Sequence, residues 1–381
     1  GRFPAETTAQ LANMVQRSLN YEINPSLEAK FDHFLGIASE LGPGDDGEAD
    51  YEHIRNIGEI MLESTYTNFS EMYDGSQQGA DANGNPTKIQ VENAINAGQG
   101  AIMYIGHGTK NEWTTSGFSY TDALKLKNTE TQPFIWSAGC SNGDFVSSSC
   151  LAEAWLRAEY NNQPAGAVAV MMSTCTQSWY PPMEAQDEIA LILSGKKASV
   201  TTRTFAGVSM SACVRMNDKY GIGGYRVTDT WTIFGDPSVQ LRTSPAQNIS
   251  THHVPETGAD TRVFVVKLPD SEALACITQQ NTLLGAARVT DGIANISISA
   301  PITTDNITLT VTEFNHLPYT ALIPVTRMPA AATQSIPENN NRKISVYTPF
   351  SWETGTGMNP DYYELFITEG NNPEWTENGI I

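Results

Sequence analysis

The sequence contains few cysteines, little positive charge and no long apolar run, and each shortage excludes a class of protein. Its 381 residues include five cysteines, too few for a disulfide scaffold and not spaced as zinc ligands. Only 22 Lys and Arg stand against 42 Asp and Glu, which gives a formal net charge of −20. We therefore expect no nucleic-acid partner, because phosphates require basic patches. No segment reaches the ~18 apolar residues of a membrane-spanning helix, so no transmembrane segment is expected.

The chain also lacks an initiator methionine and a hydrophobic leader. It begins Gly1-Arg2-Phe3-Pro4, which predicts a fragment, a mature form or a processed chain. Its isoelectric point near 4.6 is compatible with an extracellular or periplasmic protein and with basic peptide substrates, although solubility alone explains it equally well. The odd number of cysteines leaves at least one thiol free. The length predicts two or three domains.

Two apolar runs each end in a turn that carries a chemically capable side chain. Residues 101–105 are followed by Gly106-His107-Gly108, and residues 133–139 are followed by Cys140 and a polar loop. A thiol and an imidazole delivered in this way are the minimum equipment for a cysteine nucleophile activated by a histidine. Either residue alone would fit a packed structural role, but the pair favours catalysis. We expect the other candidates, Cys150, Cys175 and Cys213, to be packed in the core.

Continuous apolar runs alternate with segments of helical periodicity over the first 243 residues. The predicted buried strands are 34–39, 101–105, 133–139 and 165–173. The predicted helices are 5–22, 50–62, 88–97, 121–126 and 150–160. In the first of them, Leu11, Met14, Val15 and Leu19 form the stripe that is predicted to be buried. Residues 73–87 are predicted to be a long polar loop. This alternation predicts an α/β fold, a parallel sheet with helices on both faces. Ligands bind beyond the carboxyl ends of such strands, where Glu40, His107, Cys140 and residues 175–177 would meet.

The pattern changes near residue 243. Runs of period 2 at 262–266, 294–298 and 307–311 are separated by closely spaced turns, which predicts a small β-sandwich. Residues 327–341 are rich in Pro and Asn and are typical of a linker, and the tail contains one strand-like run at 362–367. We therefore divide the chain into a catalytic domain (1–243), a β-sandwich (244–328) and a linker with an unassigned tail (329–381).

A Cys–His pair needs a third group that orients the imidazole and donors that stabilise the oxyanion of acyl transfer. Glu40 and Asp50 are the acidic candidates, because both follow the first predicted strand. The backbone N–H groups of Gly108 and Cys140 are the candidate oxyanion donors, provided that the two turns face each other.

Together these segments resemble the gingipain family of cysteine peptidases, whose catalytic domain has a caspase-like fold. The resemblance covers roughly residues 1–243 in the type, order and spacing of its motifs. Those motifs are Tyr104-Ile105-Gly106-His107-Gly108, Cys140-Ser141-Asn142-Gly143-Asp144-Phe145, residues 173–179 and residues 229–238. The predicted sandwich looks like the immunoglobulin-like domain that follows the catalytic domain in gingipains.

The resemblance implies a role for each candidate residue. Cys140 would be the nucleophile and His107 the general base and acid, with the amides of Gly108 and Cys140 as the oxyanion hole. Glu40 matches the acid that holds the histidine, although the segment before it is one residue shorter than in the family.

The resemblance also bears on specificity. In the arginine-specific members, Asp50 falls on the acid at the base of the S1 pocket, and Gln177, Trp179 and Met183 match the pocket walls. A guanidinium stacked on an indole and paired with a carboxylate is a favourable arrangement. The lysine-specific members place their acid where this chain has Tyr180-Pro181, so cleavage after arginine is favoured. The alternative for Asp50 is a plain helix N-cap.

Gingipains carry another α/β subdomain upstream, so the resemblance implies that a cleaved upstream chain of the same precursor is a partner. It also implies peptide or protein substrates with a basic P1 residue. No cofactor is required for the chemistry. Structural calcium could be held by the acidic loops at 42–50 and 74–86, without assigned ligands. We expect a secreted or cell-surface bacterial protein. Two alternatives stay open: a related peptidase with a Lys or other P1 preference, and a catalytically silent surface or adhesion module on the same fold.

Overall fold

A computed structural model describes residues 1–197, 199–200, 202–269, 271–303, 305–326, 332–337, 344–345, 347–354, 375–376 and 379–380. These residues form two compact units. The first unit contains residues 1–249 together with 312–318, and the second contains the described residues of 250–311 and those from 319 onward.

A six-stranded sheet forms the centre of the first unit. Its strands are β1 (His33–Ala38), β2 (Asn68–Tyr73), β3 (Ala101–Ile105), β4 (Phe134–Ala138), β5 (Ala169–Ser173) and β6 (Trp231–Gly235). Their order across the sheet is β6-β5-β4-β3-β1-β2. The first five strands run parallel, and β6 pairs antiparallel with β5. Every residue of β3, β4 and β5 is buried, as in parallel sheets covered on both faces.

Helices cover both faces of this sheet, which confirms the prediction. They are α1 (Thr8–Ile23), α2 (Asp50–Leu62), α3 (Lys88–Asn96), α4 (Tyr120–Ala123), α5 (Leu151–Arg157), α6 (Tyr180–Leu193), α7 (Phe205–Tyr220) and α8 (Ile222–Thr228). Met103 and Trp136 pack in the core cluster that contains α2, α6 and α7. Ile102 and Ile135 point to the opposite face and pack in the cluster that contains α1, α3 and α5. Each such side chain contributes about 1.5–3 kcal/mol on burial.

Two strands of the sheet lie outside the predicted set. The sequence of β2, Asn68-Phe69-Ser70-Glu71-Met72-Tyr73, mixes polar and apolar residues, because β2 is an edge strand and most of its residues are half-buried. Strand β6 reverses direction at the other edge, so the sheet is mixed and not wholly parallel.

The predicted buried stripe of the first helix is wrong except at Met14. Leu11, Val15 and Leu19 are exposed, and the buried face consists of Met14, Arg17, Ser18 and Tyr21. Arg17 is fully buried, and its guanidinium donates hydrogen bonds to the carbonyls of residues 156, 158 and 165 at 2.5, 3.0 and 2.7 Å. These three acceptors compensate for taking a charge out of water, although burial still lowers the pKa of Arg17 to about 9.

The second unit is made of short strands. Its main ones are β7 (His252–His253), β8 (Thr257–Gly258), β9 (Val263–Lys267), β10 (Leu274–Gln279), β11 (Thr282–Arg288), β12 (Ile293–Ser297), β13 (Ile307–Thr312), β14 (Tyr319–Ile323) and β15 (Val325–Thr326). They form a three-stranded sheet β7-β9-β12, a four-stranded sheet β11-β10-β13-β14 and the pair β8-β15. Buried and exposed residues alternate along β9 and β12, as the period-2 runs predicted.

Within the predicted linker, Ala332–Ile336 pairs with Ser351–Thr354 as a two-stranded sheet. The strand-like run at 362–367 lies outside the described residues. In the part of the chain that is described, no helix has the length and apolar character needed to cross a membrane.

Candidate active site

The strand register brings the ends of β1, β3 and β4 to one edge of the sheet. Ala38 of β1 pairs with Ile105 of β3, and Ile105 pairs with Ala138 of β4. Because these strands end side by side, His107 and Cys140 each lie two residues beyond a paired position. The loop after β5 joins them, since the Ser141 N–H donates to the carbonyl of Cys175 at 3.0 Å.

The turns after β3 and β4 are in direct contact. A Cβ placed on Gly108 would lie 3.0 Å from the backbone N of Cys140 and 2.8 Å from its carbonyl oxygen. A side chain there would collide with backbone, so glycine is what allows this approach. Among the described residues, neither the Gly108 nor the Cys140 N–H donates a hydrogen bond. Two adjacent free donors at a sheet edge are what an oxyanion requires.

Asn142 holds these two turns together. Its fully buried side chain donates from Nδ2 to the carbonyls of Thr109 and Glu112 at 2.7 and 3.1 Å, and its Oδ1 accepts from the Ser137 hydroxyl at 2.8 Å. The sequence interpretation treated Asn142 only as part of a polar loop. Its spacing, two residues after the candidate nucleophile, was the available signal for this positioning role.

His107 is exposed and lies against the candidate S1 pocket. Its ring meets the Trp179 ring edge to face, with centroids 5.4 Å apart. Its carbonyl accepts a hydrogen bond from the Tyr104 hydroxyl at 2.5 Å, which fixes the backbone of the turn.

Glu40 lies at the same edge but contacts a different loop. Its carboxylate is next to Gly75, where a Cβ would lie 2.8 Å from Glu40 Oε2. Within the described residues Glu40 makes no hydrogen bond to His107. A second acid, Asp74, follows β2 and was missed because β2 itself was missed. Burial and the neighbouring Glu40 raise the pKa of Asp74 to about 6, and its Oδ1 has no hydrogen-bond partner among the described residues.

Asp50 is a buried acceptor, and the plain N-cap alternative for it is wrong. Helix α2 has Ala49 at its N-cap, and the carboxylate of Asp50 accepts from Ser39 Oγ at 2.5 Å and from Trp179 Nε1 at 2.9 Å. Its exposed fraction is 0%. Burial raises its pKa to about 6, even though the Ser39, Trp179 and nearby histidine contacts favour the charged form.

The other predicted pocket residues surround the same region. Gln177 is half-buried, and its Oε1 accepts from the indole of Trp231 at 2.6 Å. Met183 is fully buried on α6, and its sulfur accepts from the Asp45 N–H at 3.3 Å. A side chain on Gly44 would overlap that sulfur. Trp179 and Met183 therefore bring the start of α6 against the loop that leads into α2.

The five cysteines differ in exposure, and Cys140 and Cys276 are half-buried. Cys150 and Cys213 are buried as predicted, and burial raises both pKa values to about 11. Cys175 is exposed, so the prediction that it packs in the core is wrong. It follows β5 at the sheet edge, where the Ser173 hydroxyl donates to its carbonyl at 2.8 Å.

In each acidic loop, one carboxylate already has partners among the described residues. Carboxylate oxygens of Asp45, Glu184 and Asp187 lie within 4.8 Å of one another, but Lys219 Nζ already sits 3.0 Å from Asp45 and 2.6 Å from Glu184. The Lys219 ammonium therefore already neutralises part of the negative charge of these carboxylates. In the other loop, Asp81 accepts from the backbone N–H groups of residues 73 and 77, both at 3.0 Å. Calcium therefore stays a prediction with no assigned ligands.

Comparisons with known proteins agree with one another. The family model described as peptidase family C25 matches residues 1–242, and that of the C25 C-terminal ig-like domain matches residues 258–326. Gingipain R2 of Porphyromonas gingivalis is 36% identical over 410 aligned positions, which cover 100% of this chain and 54% of gingipain R2. Gingipain R1 of the same species is 35% identical over 319 positions, covering 83% of this chain and 31% of gingipain R1. The chain spans about half or less of the length of these curated relatives.

Solved structures give the same result. The crystal structure of the Arg-specific cysteine proteinase gingipain R has a TM-score of 0.80 and 35% identity, and covers 86% of this chain and 74% of that one. A complex of the RgpB pro- and mature domains of P. gingivalis has a TM-score of 0.80 and 34% identity, covering 86% and 76%. The predicted fold class, a caspase-like α/β domain followed by an immunoglobulin-like domain, is confirmed.

Proposed function

Because the chain belongs to peptidase family C25, we propose that it is a cysteine endopeptidase that hydrolyses peptide bonds after arginine. The observation that carries the proposal is the contact between the turns after β3 and β4. It brings a histidine turn and a cysteine turn together, with two free N–H groups between them.

In the proposed reaction, Cys140 attacks the carbonyl carbon of the scissile bond while His107 accepts its proton. The oxyanion that forms accepts hydrogen bonds from the Gly108 and Cys140 amides. His107 then returns the proton to the leaving amine, and the C–N bond breaks to leave an acyl-enzyme. Water, deprotonated by the same imidazole, hydrolyses the thioester and restores the thiol.

Glu40 is the proposed acid that holds His107, and Asp74 is a second acid next to it. Burial and the neighbouring Glu40 raise the pKa of Asp74 to about 6, so Asp74 is mostly ionised at pH 7. That charge lies at the sheet edge that carries His107 and favours an imidazolium in the transition state.

Arginine specificity is proposed from Asp50 and the residues around it. A guanidinium presents five donors in a planar fork, which suits a buried carboxylate and an aromatic face better than an ammonium does. Trp179 supplies both an indole N–H that holds Asp50 and a ring for stacking. Gln177 and Met183 are the proposed remaining walls. Gingipain R is described as Arg-specific, which supports the same choice.

The test is hydrolysis of matched fluorogenic peptides with Arg, Lys or Ala at P1, beside Cys140→Ala as the blank. Cleavage after Arg that is lost in the variant is the expected result. Preferred cleavage after Lys would support the related-peptidase alternative. No cleavage of any peptide, with the protein folded, would support the silent surface module.

We also propose a secreted or cell-surface bacterial enzyme with an upstream chain as partner. The exposed face of α1 supports the partner, since Leu11, Val15 and Leu19 lie four residues apart on one stripe of the helix. One solved relative is a complex of pro- and mature domains. Co-expression with the preceding segment of its precursor should bury these three side chains, which hydrogen exchange of α1 would measure.

A further inference from the structure

His53 is a buried histidine that the proposed chemistry does not use. It lies on α2, one helical turn after Asp50, and its exposed fraction is 1%. Its Nδ1 lies 3.5 Å from a carboxylate oxygen of Glu48 and 3.5 Å from one of Asp187. Its Nε2 lies 3.3 Å from Oε1 of Gln186. Each ring nitrogen therefore faces an oxygen.

The hydrogen-bond partners determine the charge of this ring. Gln186 donates from Nε2 to the carbonyl of Tyr104 at 3.0 Å, so its Oε1 is the atom left to face His53. An amide oxygen only accepts, which requires a proton on His53 Nε2. On the other side, the contact with His53 lowers the pKa of Glu48, so this carboxylate accepts from Nδ1. Burial raises the pKa of Asp187 to about 7, so Glu48 is the partner that favours a proton on Nδ1 as well, and with it an imidazolium ring.

This buried cation joins the parts of the proposed S1 pocket. Glu48 stands directly before the first turn of α2, where Asp50 lies. Asp187 and Gln186 are on α6, within one turn of Met183. Gln186 in turn holds β3 at Tyr104, whose hydroxyl fixes the His107 turn. One positive charge thus connects α2, α6 and β3.

We propose that His53 is a positioning residue whose positive charge holds the first turn of α2, and with it Asp50, in the geometry that receives a P1 arginine. This inference rests on the proposed arginine specificity. His53 touches neither substrate nor the reacting atoms, so it acts through Asp50 alone.

The charges around His53 give the direction of its pH dependence. Glu48 and Asp187 face the His53 ring directly, and Asp50 lies on the same helix as His53. Beyond Asp187 lie Asp45 and Glu184, which pair with Lys219. Burial alone would lower the pKa of His53, but the two carboxylates raise it above 6.5. The stabilisation of the folded state by the charged His53 ring is therefore complete below pH 6.5, the ordinary histidine pKa. It is lost as the pH rises through the pKa of His53 in the folded state. Loss of the proton leaves two carboxylates without a cation between them.

The first experiment measures the charge of the ring directly. Cys140→Ala protein with ¹⁵N-labelled histidine is titrated by NMR, and His53 is assigned by comparison with His53→Gln. We expect both ring nitrogens to be protonated at pH 7 and to titrate above the ordinary histidine value. A neutral tautomer at pH 7 would overturn the inference. This readout does not depend on activity.

The second experiment separates binding from chemistry. His53→Gln keeps a donor but removes the charge, and we expect KM for an Arg peptide to rise about tenfold with kcat within about twofold. Adding Asp187→Asn removes the unpaired negative charge and should restore most of the loss. In wild type, KM for the Arg peptide should rise with pH above the pKa of His53, a rise called here the alkaline limb of KM. This rise should be absent from His53→Gln. The control is His33→Gln, at the opposite end of β1, which should behave as wild type.

The outcomes separate this inference from the proposed function. A wild-type protein that fails to cleave Arg peptides refutes the function, while the NMR titration still decides the charge of His53. Cleavage by wild type with unchanged KM in His53→Gln refutes the positioning role. If His53→Gln does not fold, Asp187→Asn alone should lower the pKa of His53 and move the alkaline limb of KM to lower pH. An unmoved limb in that variant would also overturn the inference.

Discussion

Replacing Asp50 with Asn should make the protein more stable and less able to cleave after arginine. The change is nearly isosteric, and both contacts can survive, since the amide oxygen still accepts from Trp179 and the amide nitrogen can donate to the Ser39 hydroxyl. Only the negative charge is lost. The effect on folding and the effect on activity therefore have one electrostatic origin.

The stability change follows from the pKa of Asp50, which burial raises from 3.8 to about 6. A tenfold change in proton affinity corresponds to about 1.4 kcal/mol, so the buried carboxylate costs the folded state about 3 kcal/mol above pH 6. The sign is that of a raised acid pKa: the penalty is full above the folded-state value and vanishes below 3.8, where both states are protonated. Asp50→Asn should thus stabilise by about 3 kcal/mol at pH 7.5 and by much less near pH 4.

The activity change is larger and opposite in sign. An arginine in this pocket would lose the buried counter-charge of Asp50, a loss of about 3–5 kcal/mol, which lowers kcat/KM for Arg peptides by about 10²–10³-fold or more. A citrulline peptide, which has the same shape without the charge, should be almost unaffected. Denaturant unfolding at the two pH values and kcat/KM for the two peptides are the measurements. An Asn variant that is no more stable and still prefers arginine to citrulline would refute this reasoning.

Three further predictions follow from single contacts. Asn142→Leu removes the hydrogen bonds that hold the His107 and Cys140 turns together. We expect urea unfolding to show a loss of about 3 kcal/mol in unfolding free energy, and peptide hydrolysis to show a fall in kcat of about 10²-fold. A variant with the kcat of wild type would contradict this role of Asn142. In the variant Cys175→Ser, iodoacetamide should alkylate Cys140 at least about tenfold faster than Cys150. The reason is that Cys140 is half-exposed, whereas Cys150 is buried and has a raised pKa. Equal alkylation rates, measured by mass spectrometry, would argue against Cys140 as a nucleophile. Lys219→Met removes the lysine from Asp45 while Glu184 keeps its ion pair with Arg215, so we expect a loss of about 1.5–3 kcal/mol in unfolding free energy. Calcium should raise the Tm of this variant more than that of wild type, and identical calcium responses would show that Lys219 does not replace an ion.

The sequence predicted the parts of the fold in which burial is complete and failed where it is not. Strands β3 and β4 were found because every residue in them is apolar or small and buried on both faces. The edge strand β2 was missed because polar residues interrupt its apolar ones. On α1 the apolar stripe was assigned to the core, yet the buried face is built around Arg17, whose charge is satisfied by three carbonyls distant in sequence.

The candidate site shows the same limit. Spacing along the chain brought His107, Gly108 and Cys140 to one sheet edge, since the ends of paired parallel strands must meet. The partners of Asp50 could not be predicted, because Ser39 and Trp179 reach it from two other elements. Asp74 and His53 were also missed. Their importance depends on burial and on carboxylates that the fold brings next to them, which no local pattern records.

The central claim is that Cys140 is a nucleophile served by an arginine pocket. The most direct test is covalent labelling with a peptide chloromethyl ketone that carries arginine, beside the same reagent with citrulline, followed by peptide mapping. We expect stoichiometric modification of Cys140 by the arginine reagent, at least about 10²-fold faster than by the citrulline reagent. Equal rates for the two reagents, or modification of Cys175 in place of Cys140, would contradict the account.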